Sequence, residues 1–261
     1  MLNALSKPSE VNKLITEYED KARYWFIKKQ GGEQKYKQLF CDMINKCLET
    51  KQTIFTEVVK YSPKKGVNWL VWGTVKYYEC FHLPYFTLYA FLYYETAASI
   101  GGYMTYGTKN HESGEVSQAI IYFSDHFFLR LKDRIGANAT MQNVVKVFVG
   151  NVSEMVVMSG DTSKGEKPEL MVKFPDSYGF GRLKSDKGCR MFKFSTFLKR
   201  SELTFRKLRL VRKLDLLAKE CPQYPPELEE IRKEIDSKLD DDDWTPNSWL
   251  KNGVSKEMQY V

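Results

Sequence analysis

Hydrophobic residues recur at helical spacing through the first part of the chain. Two series follow the i, i+3, i+4, i+7 spacing that places apolar side chains on one helix face. Gly31 and Gly32 separate the series, and Ser9 precedes the first at an N-cap position. The pattern predicts two helices between Ser9 and about Glu57. The series are Val11, Leu14, Ile15 and Tyr18, and Leu39, Met43, Ile44 and Cys47.

The block from Trp69 to Tyr106 is so aromatic that its period does not distinguish a helix from buried strands. Its uncharged run, Tyr85–Tyr94, is shorter than the roughly 20 residues that a membrane-spanning helix needs. We therefore expect a buried element that completes the core or covers a protein partner, and no membrane partner. Another apolar run, Gln118–Phe123, predicts a short strand or the lead-in to a helix.

A clearer pattern begins after this run. Ser124 or Asp125 caps a predicted helix, His126–Ile135, and Gly136 stands where a helix-ending glycine is expected. A second short helix is predicted over Thr140–Phe148. Four strand-like segments follow, at about 154–159, 169–174, 178–184 and 189–196, and the turn sequence between the last two predicts a hairpin.

The last predicted strand has two different faces. Phe192, Phe194 and Thr196 alternate with Met191, Lys193 and Ser195. Because successive side chains of a strand point to opposite faces, one face of this strand is aromatic and the other is more polar.

These elements predict an α+β protein in three parts. Residues 1–115 form a helical and aromatic-rich region, and residues 116–199 form a module of two helices and a four-stranded antiparallel sheet. Residues 200–261 form basic and then acidic C-terminal helices. The chain has five cysteines without a CxxC pair, and their odd number leaves one unpaired. This usage favours a reducing, cytoplasmic location.

Charge is distributed unevenly along the C-terminal half. The whole chain has a formal net charge of +7. Residues 182–213 contain twelve Lys and Arg against two acidic residues, whereas residues 215–243 contain four against eleven. The basic stretch predicts a face that binds RNA or another nucleic acid. Alternatively, the two stretches pair with one another or are simply solvated. The candidate nucleic-acid-binding residues are Arg182, Lys184, Arg190, Lys193, Lys199 and Arg200.

The predicted helix His126–Ile135 carries a row of three basic side chains. His126, Arg130 and Arg134 fall within an arc of about 80° around the helix. The adjoining arc is apolar, so the row lies at the edge of the buried face. Charged groups at such an edge can line a cleft.

This row has the elements of RNA cleavage by the ribose 2′-hydroxyl. A neutral imidazole of His126 would accept the hydroxyl proton, and the two arginines would hold the phosphate and stabilise its transition-state charge. The same spacing also arises in an amphipathic helix that forms salt bridges with its neighbours, and Asp133 offers a local partner.

The row, followed by a small antiparallel sheet that ends in Lys193-Phe194-Ser195-Thr196, resembles a known family. It is the ribonuclease-toxin superfamily that groups barnase, colicin nucleases and bacterial toxin–antitoxin ribonucleases. The resemblance covers residues 120–198. It implies metal-independent cleavage on the open face of the sheet, with His126 as acid/base, Arg130 and Arg134 as phosphate ligands, and Ser195 or Thr196 as a polar group. A role as a toxin or defence effector follows from it.

No cofactor or metal is expected. His82, His111 and His126 have no zinc-binding spacing. Gly179 and Gly181 lack the third glycine of a dinucleotide-binding loop, so they indicate a strand in which the backbone approaches a ligand closely. Two rival functions remain: a nucleic-acid-binding protein that does not cut, and a structural or interaction protein of phage or mobile-element origin.

Overall fold

A computed structural model of the chain describes residues 2–78, 83–109, 116–136, 138–152, 155–159, 169–175, 177–204, 207–208 and 211. The predicted α+β class is confirmed. The helices are α1 (Pro8–Lys29), α2 (Glu33–Thr50), α3 (Asp125–Ile135) and α4 (Met141–Val152). The strands are β1 (Ile54–Phe55), β2 (Val59–Lys64), β3 (Val67–Tyr78), β4 (Leu83–Glu95), β5 (Ile100–Lys109), β6 (Val116–Phe123), β7 (Val156–Ser159), β8 (Glu169–Lys173), β9 (Ser177–Asp186) and β10 (Cys189–Lys199).

Both N-terminal helices are present, and Gly31 and Gly32 separate them with φ values of 92° and 90°. The helical prediction extended too far, because residues 54–55 form β1. Ser9 is not the N-cap: α1 begins at Pro8, where the missing N–H of proline costs no hydrogen bond. The Ser9 hydroxyl instead donates to the carboxylate of Asp186, at the end of β9.

The sheet is larger than predicted, and it is mixed. The described strands form one ten-stranded sheet in the order β1-β3-β4-β5-β6-β10-β9-β8-β7, with β2 also paired to β3. The four predicted C-terminal strands are antiparallel to one another, as β7 to β10. However, β10 also pairs with β6, and this pairing is parallel. The four-stranded antiparallel sheet of the prediction is therefore one part of a continuous ten-stranded sheet.

The described residues of the aromatic block form strands and the turn between β4 and β5, not a helix. β3, β4 and β5 form an antiparallel meander in which Trp69 pairs with Leu92 and Leu92 pairs with Tyr103. Trp69, Trp72 and Phe91 are fully buried. Large apolar side chains point to both faces of these strands. The sequence therefore lacks the alternation of apolar and polar residues that marks a strand with one buried face. The described part of the block thus completes the core.

The helices cover opposite faces of the sheet. We call the face that contacts α3 and α4 the front and the face that contacts α1 and α2 the back. The front core is rich in phenylalanine, and its rings of Phe123 and Phe194 stack with centroids 5.8 Å apart. The back core contains Val11 and Phe26 of α1 against Trp69 and Tyr122 of the sheet.

The first helix of the module is confirmed in detail. The Ser124 side chain accepts a hydrogen bond from the backbone N–H of Phe127 at 3.2 Å, and Gly136 ends α3 with a φ of 137°. Phe127 packs edge-on against Phe197 of β10, with the ring centroids 5.3 Å apart. Burial of each such ring contributes roughly 1.5–3 kcal/mol, so α3 is firmly anchored to β10.

Within the described part of the chain, no helix combines the length and the apolar character needed to cross a membrane. Among the described residues, Cys47 and Cys189 have free thiols. His82, His111, Cys80 and Cys221 lie outside the described residues.

The hairpin between β9 and β10 turns at Lys187 and Gly188, whose φ values are 48° and 80°. Two successive positive φ values are typical of the turn that matches strand twist, so the predicted hairpin is confirmed.

The two glycines of β9, Gly179 and Gly181, allow close packing within the protein itself. A Cβ on Gly181 would lie 2.1 Å from the carbonyl oxygen of Lys193, and a Cβ on Gly179 would lie 2.6 Å from Val172.

We expect Gly181→Ala to destabilise the protein, because the added methyl group must push the β10 backbone away. The loss in the free energy of unfolding should be about 1–3 kcal/mol, measured by urea denaturation. Gly150→Ala is the matched control: apart from its chain neighbours and the surrounding backbone of α4, no atom lies within 4 Å of its Cβ position. That variant should gain roughly 0.5–1 kcal/mol. Equal stability of Gly181→Ala and the natural chain would contradict the close contact.

Candidate functional site

The predicted row on α3 is only partly available to a ligand. His126 and Arg130 are exposed and lie one helical turn apart, on the side of α3 that also exposes Asp133. Ser124 caps the helix two residues before His126. The place of these two side chains along a cleft stays a prediction.

Arg134 has a structural role. Its Nε and Nη2 both contact a carboxylate oxygen of Glu202 at 2.8 Å, and its Nη1 donates to the backbone carbonyl of Arg130 at 2.9 Å. Only 12% of the Arg134 side chain is exposed. The hydrogen bond from the Lys199 backbone N–H, followed by those from Arg134, lowers the pKa of Glu202. The guanidinium thus ties the C-terminal end of α3 to the 3-10 turn at Arg200–Glu202.

The polar end of β10 does not join this row. A bulge leaves Ser195 without a partner between the pairs Phe194–Gly181 and Thr196–Phe180. Phe180 belongs to a cluster with Met171 and Tyr178 on the back of the sheet. Residues paired across a ladder share a face, so Thr196 lies on the back, across the sheet from α3. Ser195 and Thr196 are both half-buried.

The predicted nucleic-acid-binding residues are divided between the two faces. Lys184 pairs with Met191, which packs in the back core, and Lys193 pairs with Arg182. These three cations therefore lie on the back, and Arg182 and Lys184 are exposed. The strand alternation places Arg190 and Lys199 on the front side, and Arg200 begins the 3-10 turn. The structure thus does not bring the predicted residues into one site.

Lys193 has an unusual environment on the back face. Its ammonium group lies 5.2 Å from the centre of the Tyr122 ring, a favourable cation–π distance. Burial of the side chain and the positive charge of Lys184 lower the pKa of Lys193, and the Asp125 carboxylate partly offsets this. Burial also raises the pKa of Tyr122, so the ring below the ammonium is a neutral phenol.

A further lysine extends this group along the back of β9. The Lys207 ammonium lies 4.7 Å from the centre of the Phe180 ring. On the same side, Leu203 and Val211 pack with Met171 and Tyr178. We call Arg182, Lys184, Lys193 and Lys207 the basic strip. The strip follows β9 and β10 between the N-terminal end of α1 and the segment that leaves the sheet after β10.

Sequence reasoning identified three members of the basic strip but not their arrangement. It missed Lys207, as well as Tyr122 below Lys193 and Glu202 beside Arg134. One available signal was unused: Lys193 alternates with Phe192 and Phe194, whose aromatic face packs against α3. Because of that alternation, Lys193 and the helix that carries His126 are expected on opposite faces of the sheet.

Comparison with protein-family models, curated proteins and solved structures finds no match to this chain.

Proposed function

We propose that this protein binds nucleic acid, RNA in particular, through the basic strip on the back of the sheet. The observation that supports this most directly is the pairing of like charges. Lys193 lies directly opposite Arg182 in the ladder, and its pKa is lowered by burial and, to a smaller extent, by the positive charge of Lys184. Such pairs are destabilising by roughly 0.2–1 kcal/mol each, a cost that a bound anion removes.

The strip suits a phosphate backbone better than a single small anion. Arg182 and Lys184 are two residues apart on one strand face, so their side chains are separated by about 7 Å. This is close to the spacing of successive phosphates in an extended strand. Lys184 and Lys193 are the two members of the strip whose charges interact, so we expect them to carry most of the affinity. Contacts of this kind bind without reading the base sequence.

Lys184→Gln and Lys193→Gln should each weaken binding of a single-stranded 2′-O-methyl RNA roughly threefold to tenfold, measured by fluorescence anisotropy. Each should also reduce the slope of log affinity against log salt by about one, because one counterion fewer is released. The 2′-O-methyl group prevents cleavage during the measurement. Lys37→Gln, an exposed position on α2, removes the same charge and should leave affinity unchanged.

The free energy of unfolding of the same variants provides a second test. Lys184→Gln relieves repulsion, so its free energy of unfolding should match or exceed that of the natural chain by up to about 0.5 kcal/mol. Weaker binding together with lost stability would indicate a merely structural lysine. Equal affinity of the Lys184, Lys193 and Lys37 variants would contradict the proposal.

A second candidate function is metal-independent RNA cleavage on the front, as in a toxin or defence effector. It is supported by the exposure of His126 and Arg130, one turn apart on a capped helix. Arg134 contributes indirectly in this case, by fixing the end of α3. The cleft would then be built by His126 and Arg130 without the polar residues of the back face.

This second candidate predicts that the purified chain cleaves unmodified RNA in the presence of EDTA and leaves 2′,3′-cyclic phosphate ends. His126→Ala should abolish cleavage without changing the stability, since the side chain is exposed. Lys37→Gln serves as the control and should cleave normally. Intact RNA after incubation with the natural chain, or equal cleavage by the His126→Ala variant, would exclude this candidate.

A further inference from the structure

We propose that the acidic segment 215–243 of this chain folds back onto the basic strip and competes there with nucleic acid. The inference rests on the proposed function, since it assigns a regulator to the same surface. Three observations support it: the charge of the segment, the point at which the described chain leaves the sheet, and the small compensation that the described carboxylates give to the strip.

The two partners are complementary in charge. Segment 215–243 contains eleven acidic residues and four basic ones, and four of the acidic residues are consecutive at Asp240–Asp243. The strip has a half-buried lysine, Lys193, whose charge is disfavoured by burial and by Lys184. A carboxylate beside these lysines would restore the favourable environment of both charges. A polyanionic peptide also presents negative charges at intervals comparable to those of a nucleic-acid backbone.

The described chain ends close to the strip. Val211 is buried against Met171 and Tyr178 on the back of the sheet, next to the Phe180 ring that Lys207 covers. From Phe180 to Lys184 the strip extends about 14 Å along β9. Asp240 is 29 residues beyond Val211. Even at the helical rise this length reaches roughly 40 Å, so every part of the strip is within range.

Carboxylates in the described part of the chain leave this charge largely uncompensated. Asp125 offsets only part of the effect on Lys193. Asp186 is engaged by Ser9 at the N-terminal end of α1, and this hydrogen bond lowers the pKa of Asp186. Glu202 pairs with Arg134 at the end of α3. After β10, the next concentration of negative charge along the sequence is the acidic segment.

The first test compares two full-length variants with equal changes of charge. One carries Asp240→Asn, Asp241→Asn, Asp242→Asn and Asp243→Asn. The matched control carries Glu17→Gln, Asp20→Asn, Glu33→Gln and Glu49→Gln, four exposed positions on α1 and α2. We expect the first variant to bind single-stranded 2′-O-methyl RNA about tenfold tighter than the control at moderate salt, and the difference to shrink as salt rises. Equal affinity of the two variants, with measurable binding by both, would overturn the inference and leave the proposed function intact.

The second test detects the contact without nucleic acid. A carbodiimide joins lysine amines to carboxylates that touch them, and mass spectrometry locates the bonds in the natural full-length chain. We expect bonds within one chain from Lys184 and Lys193 to residues of segment 215–243, which disappear when 2′-O-methyl RNA is added.

The outcomes separate the two proposals. Bonds to Lys184 and Lys193 without RNA binding by any variant would overturn the proposed function and support the fold-back contact. Bonds confined to Lys213 and Lys219 would show pairing within the C-terminal region and would overturn the inference.

Discussion

The parallel pairing of β6 with β10 is the interaction on which the rest of the structure depends. It joins two antiparallel halves, β1 to β6 and β7 to β10, into one sheet. The hydrogen bond from the Ser124 N–H to the Phe194 carbonyl, at 3.0 Å, extends this pairing to the start of α3. Without the pairing of β6 with β10, α3 would lose its contact with the aromatic side chains of β10. The front and back cores would then no longer lie on the two faces of one sheet.

This pairing also decides which residues can act together. It aligns Phe194 with Phe123 on the front and Lys193 with Tyr122 on the back. The chain continues from β6 into α3 on the front, whereas Leu203 and Val211, beyond the 3-10 turn, pack on the back. His126 and Arg130 therefore belong to one surface, and the basic strip belongs to another. A single ribonuclease-like site that uses all the predicted residues does not fit this arrangement.

Local features of the fold were predictable, and long-range ones were not. Ser124, Gly136 and the Lys187–Gly188 turn signal their structures through nearest neighbours, so α3 and the last hairpin were predicted well. The extent of the sheet depends on pairing between β6 and β10, which are about 70 residues apart and leave no periodic signal. The ion pair of Arg134 with Glu202 is equally remote in sequence. The bulge at Ser195 shifts the alternation of β10, and only the partner strand defines it.

The most direct test of the account is the reactivity of individual lysines toward an acetylating reagent, with and without single-stranded 2′-O-methyl RNA. Lys184 and Lys193 report on the back face, and Lys132, between Arg130 and Arg134 on α3, reports on the front. The account predicts that RNA protects Lys184 and Lys193 and leaves Lys132 reactive. Protection of Lys132 with unchanged reactivity of Lys184 and Lys193 would contradict it and place the nucleic acid against α3.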